Sequence, residues 1–240
     1  VISLIVPAYN EERFLPRLLD SVDAAAAAFR ATGGEIEVVV ADNGSTDGTA
    51  RIAAARGCRV VSAVPRAIAA ARNAGARAAG GEILAFVDAD ARIHQLTFHE
   101  ISRLLADGRV IGGATGVTLD RWSLGIAATW MVMILLVWIT GFDTGVVFCR
   151  RADFEAVGGY DEGRRFAEDV ALLYALWRLG RRTHRRLVRA RRAKAVASTR
   201  KFDEHGEWHY FGLIWHGITR CFGSGTMDEV VERYWYRPRR

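Results

Sequence analysis

The chain has 240 residues, with 50% hydrophobic and 25% charged side chains, the balance of a folded globular protein with ample length for a core. This excludes disordered, collagen-like and low-complexity chains, and the three widely spaced cysteines (Cys58, Cys149, Cys221) match neither a disulfide framework nor a zinc pattern. The net charge is +6, but residues 178–201 hold eleven Lys/Arg and no acid, so the remainder is net acidic. Such a block suits an anionic partner, whether diphosphate, acidic membrane surface or nucleic acid, or simply a solvated arginine-rich face. That cysteine pattern leads us to expect a reducing, cytoplasmic compartment, and because Val1 enters directly into a strand-like run we expect no signal peptide.

The first half alternates strand and helix. Val1–Val6, Ile36–Ala41, Arg59–Ser62 and Ile83–Val87 read as buried strands. Between them, Glu11–Ala31, Thr46–Arg56 and Ala67–Ala79 have helical character. Ser45 or Asp47 is placed to cap the second helix, and Gly80-Gly81 to end the third. Repeated β-α-β units predict an α/β fold with a mostly parallel sheet and right-handed crossovers. Ligands then bind beyond the carboxyl ends of the strands, where Asn10, Asp42 and Asp88 fall.

The second half is less regular. Leu96–Leu105 predicts a helix, Val110–Leu119 and Gly145–Cys149 strands, and Phe166–Leu179 a helix stopped by Gly180. Trp208–Phe222 is a further helix candidate, and Tyr234–Arg240 mixes aromatics with arginine.

Asp88-Ala89-Asp90 follows an Ile-Leu-Ala-Phe-Val strand. Two carboxylates one residue apart can share a hard divalent cation, which in turn can hold a diphosphate. Taken with Pro7-Ala8-Tyr9-Asn10-Glu11, Asp42-Asn43-Gly44-Ser45-Thr46-Asp47-Gly48, Arg72-Asn73-Ala74-Gly75, Gly158-Gly159-Tyr160-Asp161 and Glu168-Asp169, the ordered set resembles glycosyltransferase family 2, the inverting enzymes of the GT-A fold. The resemblance covers roughly residues 1 to 200. It implies one GT-A domain, with a nucleotide-binding half at 1–92 and an acceptor half at 93–200 that includes an apolar helix at 122–142. A C-terminal extension, 201–240, is expected to pack on it.

The resemblance also implies roles. The Pro7–Glu11 turn (Pro7, Ala8, Tyr9, Glu11) and Asp42 wall the nucleotide base pocket. Arg72 faces the nucleotide or its diphosphate. Asp88 serves the ribose side and the metal shell, Asp90 binds Mn2+ or Mg2+, and Asp169, beside Glu168, is the catalytic base. Asn43 stands where many members have a second Asp. Arg200 or Lys201 could close over the diphosphate. His205 and His209 are not assigned to the metal. Each feature has a plainer reading as well: Tyr9 as packing, Asp42–Thr49 as a capped turn, Glu168 and Asp169 as acids favouring a helix N-terminus, and Gly158-Gly159 as a flexible turn without chemistry.

The implied activity is metal-dependent transfer of one sugar from a UDP- or GDP-sugar to a hydroxyl acceptor, lipid-linked or small. The Gln-x-x-Arg-Trp motif of processive members is absent, Gln95 being the only glutamine. The alternatives are a nucleotidyltransferase, whose Gly-rich basic signature is missing near the first strand, and an inactive nucleotide-sugar-binding or membrane-adaptor protein. Nucleic acid is disfavoured as a partner, because the basic block has little aromatic interleaving.

Residues 122–142 carry no charge. The twenty residues of Ser123–Phe142 could span a bilayer, but a span would separate Asp90 from Asp169. The remaining readings are a core helix, a homo-oligomer interface, or a helix lying in a membrane interface at the cytoplasmic face.

Overall fold

A computed structural model describes residues 1–131, 143–164 and 167–206, with the side chains of Lys201, Glu204 and His205 excepted. Residues 132–142, the Trp208–Phe222 helix candidate, the Tyr234–Arg240 tail and His209 lie outside the described residues.

The elements run β1 (Ile2–Ala8), α1 (Leu15–Arg30), β2 (Ile36–Asp42), α2 (Thr49–Ala55), β3 (Arg59–Ser62), α3 (Ile68–Ala78), β4 (Ile83–Phe86), α4 (Thr97–Leu105), β5 (Val110–Leu119), β6 (Val147–Arg150), α5 (Arg151–Ala156), α6 (Glu168–Arg182), β7 (Arg186–Ala197) and α7 (Arg200–His205). The strands form one seven-stranded sheet in the order β3-β2-β1-β4-β6-β5-β7. β3, β2, β1 and β4 are parallel, and β6 joins antiparallel to β4 and β5. The α/β architecture expected from the alternating pattern is therefore present.

Strand β1 is buried at every position because the sheet is covered on both faces. Leu4 and Val6 pack with Leu15, Leu18 and Leu19 of α1 and with Phe98 and Ile101 of α4. Ile5, between them, packs with Ala69 and Ala76 of α3 and with Leu172, Leu173 and Leu176 of α6. The strand's two-residue period thus sorts one apolar run into two cores.

Contacts divide the described chain into two units. The first holds Val1–Thr118 and Phe142–Ala197, which includes the sheet and helices α1 to α6. The second holds Leu119–Gly141 and Ser198–Arg240. Within the second, residues 124–131 are helical. The amide N–H and hydroxyl of Thr199 both donate to Asp120, at 3.0 and 2.8 Å. No helix among the described residues is long and apolar enough to cross a membrane.

Several expectations need correction. Helix α1 begins at Leu15 rather than Glu11, because residues 9–14 are taken up in a turn tied to the segment after β2 and Pro16 sits at the first helical turn. Helix α2 begins at Thr49, not Thr46. Asp47 accepts from the Thr49 N–H at 2.9 Å, while Ser45 accepts from the Asn10 N–H at 3.0 Å. Strand β7 lies inside the basic block, where only an arginine-rich loop and helix face or a basic strand end had been expected. Its inward residues are the small Ala190, Ala193 and Ala195, which give no apolar signal.

Gly180 does not stop α6, which continues to Arg182. Its requirement is room: a Cβ there would lie 2.6 Å from the Arg185 carbonyl oxygen and 3.4 Å from Ile111 Cγ2. Replacing a mid-helix glycine by alanine usually stabilises by up to about 1 kcal/mol. Gly180→Ala should instead destabilise by about 1–3 kcal/mol, the cost of overpacking against backbone. Gly108→Ala, with nothing within 4 Å, should be near neutral in the same thermal melts.

Candidate active site

The parallel strands bring their carboxyl ends side by side. In register, Ala8 pairs with Asp42, and Ile5 with Phe86, the last residue of β4. Tyr9 and Asp88 therefore follow, and Asp42 closes, neighbouring strands at one edge of the sheet. Pro7 and Ala8 are buried within β1, Glu11 is buried just beyond it, and Tyr9 is partly exposed.

The turn after β1 and the turn after β2 brace each other. The Glu11 N–H donates to Thr49 Oγ1 at 2.8 Å, the Thr46 N–H to Asn10 Oδ1 at 2.8 Å, and the Gly48 N–H to Glu12 Oε2 at 2.7 Å. Asp42 accepts from the Ser45 N–H at 3.3 Å. Asn43 is buried and donates to the carbonyls of Ala63 and Pro65, at 2.9 and 3.1 Å. It thereby fixes the loop after β3. That loop brings Arg66 over the Tyr9 ring, 4.7 Å from its centroid, with Nη1 donating to the Tyr9 hydroxyl at 2.9 Å. Arg66 had drawn no sequence-based assignment, since a single arginine in a loop carries no pattern.

The centre of the arrangement is Arg72, on α3, whose side chain is 3% exposed. Its Nη2 donates to Asp88 Oδ1 at 2.7 Å and its Nη1 to Glu168 Oε1 at 2.8 Å. Nη1 also lies 3.1 Å from Asp169 Oδ1. Burial alone would weaken its charge, but Asp169, Tyr160, Asp88 and Glu168 outweigh that and hold its pKa well above the ordinary value. Glu168 and Asp169 open α6, where the helix dipole favours negative charge. The residue before them, Ala167, has φ 55 and ψ 35. A left-handed alanine costs about 1–2 kcal/mol and persists where its surroundings over-determine it.

Asp169 is 17% exposed. Burial pushes its carboxyl up to about 6; Arg72 draws it down, Asp88 and Glu168 push it up, and the Tyr160 hydroxyl draws it down through a 2.8 Å bond to Oδ1. Tyr160 and Asn73 were visible only as members of two motifs, with no role. The structure joins them: Asn73 Nδ2 donates to the Tyr160 carbonyl at 2.8 Å, and the Tyr160 N–H donates to Asn73 Oδ1 at 2.9 Å. Gly159 has φ 73, and a Cβ there would meet Asn73 Oδ1 at 2.8 Å, so the glycine serves this pairing.

Asp88 and Asp90 offer an all-oxygen, anionic donor pair at the strand end, and the Asp88 side chain is 61% exposed. Among the described residues, no three metal-binding side chains gather. The pair still fits Mg2+ or Mn2+, because such ions use one or two carboxylates and complete their shell with substrate phosphates and water. Arg200 opens α7 in the second unit, and the side chains of Lys201 and His205 lie outside the described residues.

A family model for glycosyl transferase family 2 matches residues 3–183. The chain belongs to this family. Among curated relatives, an undecaprenyl-phosphate 4-deoxy-4-formamido-L-arabinose transferase of Klebsiella pneumoniae is 35% identical over 117 residues, covering 44% of this chain and 32% of that protein. The chain spans about a third or less of the length of the curated relatives it matches. Among solved structures, mannosyltransferase PcManGT of Pyrobaculum calidifontis, in complex with GDP-Man and Mn2+, superposes with a TM-score of 0.64 at 23% identity, over 81% of this chain and 56% of that one. Glucosyl-3-phosphoglycerate synthase of Mycobacterium tuberculosis, in complex with Mn2+, UDP and glucosyl-3-phosphoglycerate, gives 0.64 at 21% identity, over 94% and 81%. The fold of this family 2 chain is the GT-A fold expected from its motifs.

The raised pKa of Asp169 has a consequence for stability. A carboxyl held at about 6 when folded and near 3.8 when unfolded favours the fold below pH 4, and that contribution is lost as pH rises through 6. Asp169→Asn should therefore melt higher than the wild type at pH 8, by on the order of 1–3 kcal/mol, with the difference vanishing at pH 4. Thermal scans at the two pH values check this.

Proposed function

We propose that this chain is the catalytic domain of an inverting glycosyltransferase that moves one sugar from a UDP- or GDP-sugar to a hydroxyl acceptor. The observation that carries the reading is the division of carboxylates around Arg72. Exposed Asp88 lies on one side of it and the enclosed, basicity-raised Asp169 on the other.

In a single displacement, the acceptor oxygen bonds to the anomeric carbon as the bond from that carbon to the diphosphate oxygen breaks. The acceptor's proton passes to the Asp169 carboxylate, and the electron pair leaves on the nucleoside diphosphate. Asp88 and Asp90 would hold Mn2+ or Mg2+, which neutralises charge on the leaving diphosphate. Asp42 and the Tyr9 turn receive the base. The Mn2+ and nucleotide complexes of the two structural neighbours support this assignment of donor and metal.

A panel of UDP- and GDP-sugars, scored by thermal stabilisation with and without Mn2+, tests the donor. Stabilisation should require Mn2+ and disappear in Asp90→Ala, which should also abolish transfer with the fold intact. Asp169→Asn should bind donor with near-normal affinity and lose turnover by roughly 10² or more. Full activity in chelator would sink the metal assignment. Lost donor binding with residual turnover would remove Asp169 from the role of base.

We further infer that the acceptor is lipid-linked and is met at an anionic membrane face. The name of the Klebsiella relative, with its undecaprenyl phosphate, supports this. So do Leu124, Met131 and Trp122 in the second unit, which are 82%, 68% and 54% exposed. The chain should pellet with anionic vesicles at low salt and be partly released by high salt. Leu124→Ser with Met131→Ser should weaken pelleting without loss of donor binding. Indifference to anionic vesicles at low salt would point to a soluble acceptor.

A further inference from the structure

We propose that Tyr160 is a positioning residue for Asp169: its hydroxyl, together with Arg72, holds Oδ1 and leaves Oδ2 as the oxygen that receives the acceptor's proton. The inference rests on the reading of Asp169 as the base.

Both partners of the Asp169 carboxylate among the described residues fall on one oxygen. The Tyr160 hydroxyl donates to Oδ1 at 2.8 Å, and Arg72 Nη1 stands 3.1 Å from the same atom. One hydrogen bond and one ion-pair contact on the same oxygen restrain the rotation of the carboxylate and leave the lone pairs of Oδ2 directed elsewhere. A base works only if the oxygen that takes the proton is already aimed, and such aim comes from neighbours whose own positions are locked.

Tyr160 is locked in this sense. Its backbone is held by Asn73 through both N–H and C=O. Its ring sits edge-on to Phe86 at 5.0 Å and to Phe154 at 5.9 Å, and the Arg72 guanidinium lies 5.1 Å from its centroid. The phenol also remains a donor at every working pH. Burial, and the Asp169 carboxylate beside it, push its pKa well above the ordinary value. The hydroxyl therefore donates steadily to the ionised base and steadies that form. The charged and titratable groups facing Asp169 are Arg72 from α3, Asp88 from the end of β4, Glu168 from its own helix, and Tyr160 from the loop between α5 and α6.

Tyr160→Phe keeps the ring packing and removes only the hydroxyl. The test uses the whole chain labelled with 13C at the aspartate carboxyls, with the Asp169 signal identified by its absence in Asp169→Asn. Loss of a bond to the ionised form should raise the Asp169 titration midpoint by about 0.5–1 pH unit in Tyr160→Phe. Tyr160→3-fluorotyrosine, a more acidic phenol and stronger donor, should lower it. With Mn2+ and GDP-mannose or UDP-glucose as probes, release of the nucleoside diphosphate should slow about tenfold in kcat with KM unchanged. That is less than the roughly 10²–10⁴-fold carried by a base itself. The acidic limb of its pH profile should move upward with the midpoint.

If Tyr160→Phe fails to fold, the fluorotyrosine variant decides alone. A midpoint that stays put while Asp169→Asn is inactive would overturn the role of Tyr160 and leave the base standing. A midpoint that moves while Asp169→Asn keeps turnover would sink the base, and this role with it.

Discussion

The arrangement depends on one buried guanidinium. Arg72 lies almost wholly out of solvent, and a cation so placed is tolerated only when anions and hydrogen bonds replace its water. Asp88, Glu168 and Asp169 supply them from two separate stretches of chain, the end of β4 and the start of α6. Removing Arg72 would leave two largely enclosed carboxylates facing each other, so the same residue stabilises the fold and sets the charge of the site. Because its Nη1 and Nη2 point to different partners, it also fixes the geometry between the strand end and the helix start.

The sheet order explains why these stretches meet. β3, β2, β1 and β4 run parallel and deliver Asp42, Tyr9 and Asp88 to one edge, the usual position for ligands in such sheets. β6 then enters antiparallel beside β4, and the chain leaving it through α5 passes Tyr160 before opening α6. Asn73 and Arg72, adjacent on α3, each reach across to that second stretch. One holds the Tyr160 backbone, and the other the acids of α6.

Much of this was legible from residue order. Buried strands announce themselves as apolar runs, and a carboxylate directly after such a run falls at the ligand-binding edge, so β1 to β4 and Asp42, Asp88 and Asp90 could be placed from the sequence. Strand β7 could not be, because alanine fills its inward positions and arginine covers its outward ones. Gly180 was misread because a glycine that ends a helix and a glycine under the chain's own return after the helix look alike in sequence. Tyr160 stood inside a quoted motif, yet its hydroxyl bond depends on the start of a helix nine residues later, a contact that no local pattern encodes. Arg72 was expected at the nucleotide or its diphosphate; in the structure it is already engaged by three carboxylates, which periodicity and spacing do not reveal.

Charge balance links the parts of the proposed mechanism. Around Arg72, one cation faces three carboxylates, and Asp90 adds a fourth acid two residues from Asp88. A nucleoside diphosphate entering that field alone would be repelled; entering with a divalent cation it meets ligands of the right sign and hardness. The surplus of negative charge has a second effect, on Asp169. Burial and two acidic neighbours raise its proton affinity, while Arg72 and the Tyr160 hydroxyl hold it back, and the outcome is a carboxyl near 6. That value suits a base near neutral pH: low enough to be mostly ionised, high enough to draw a proton from a hydroxyl under attack. A more exposed acid would be too weak a base, and an equally buried one without Arg72 would keep its proton. The guanidinium that makes the burial tolerable is thus also what leaves the buried acid ionised for the proposed reaction.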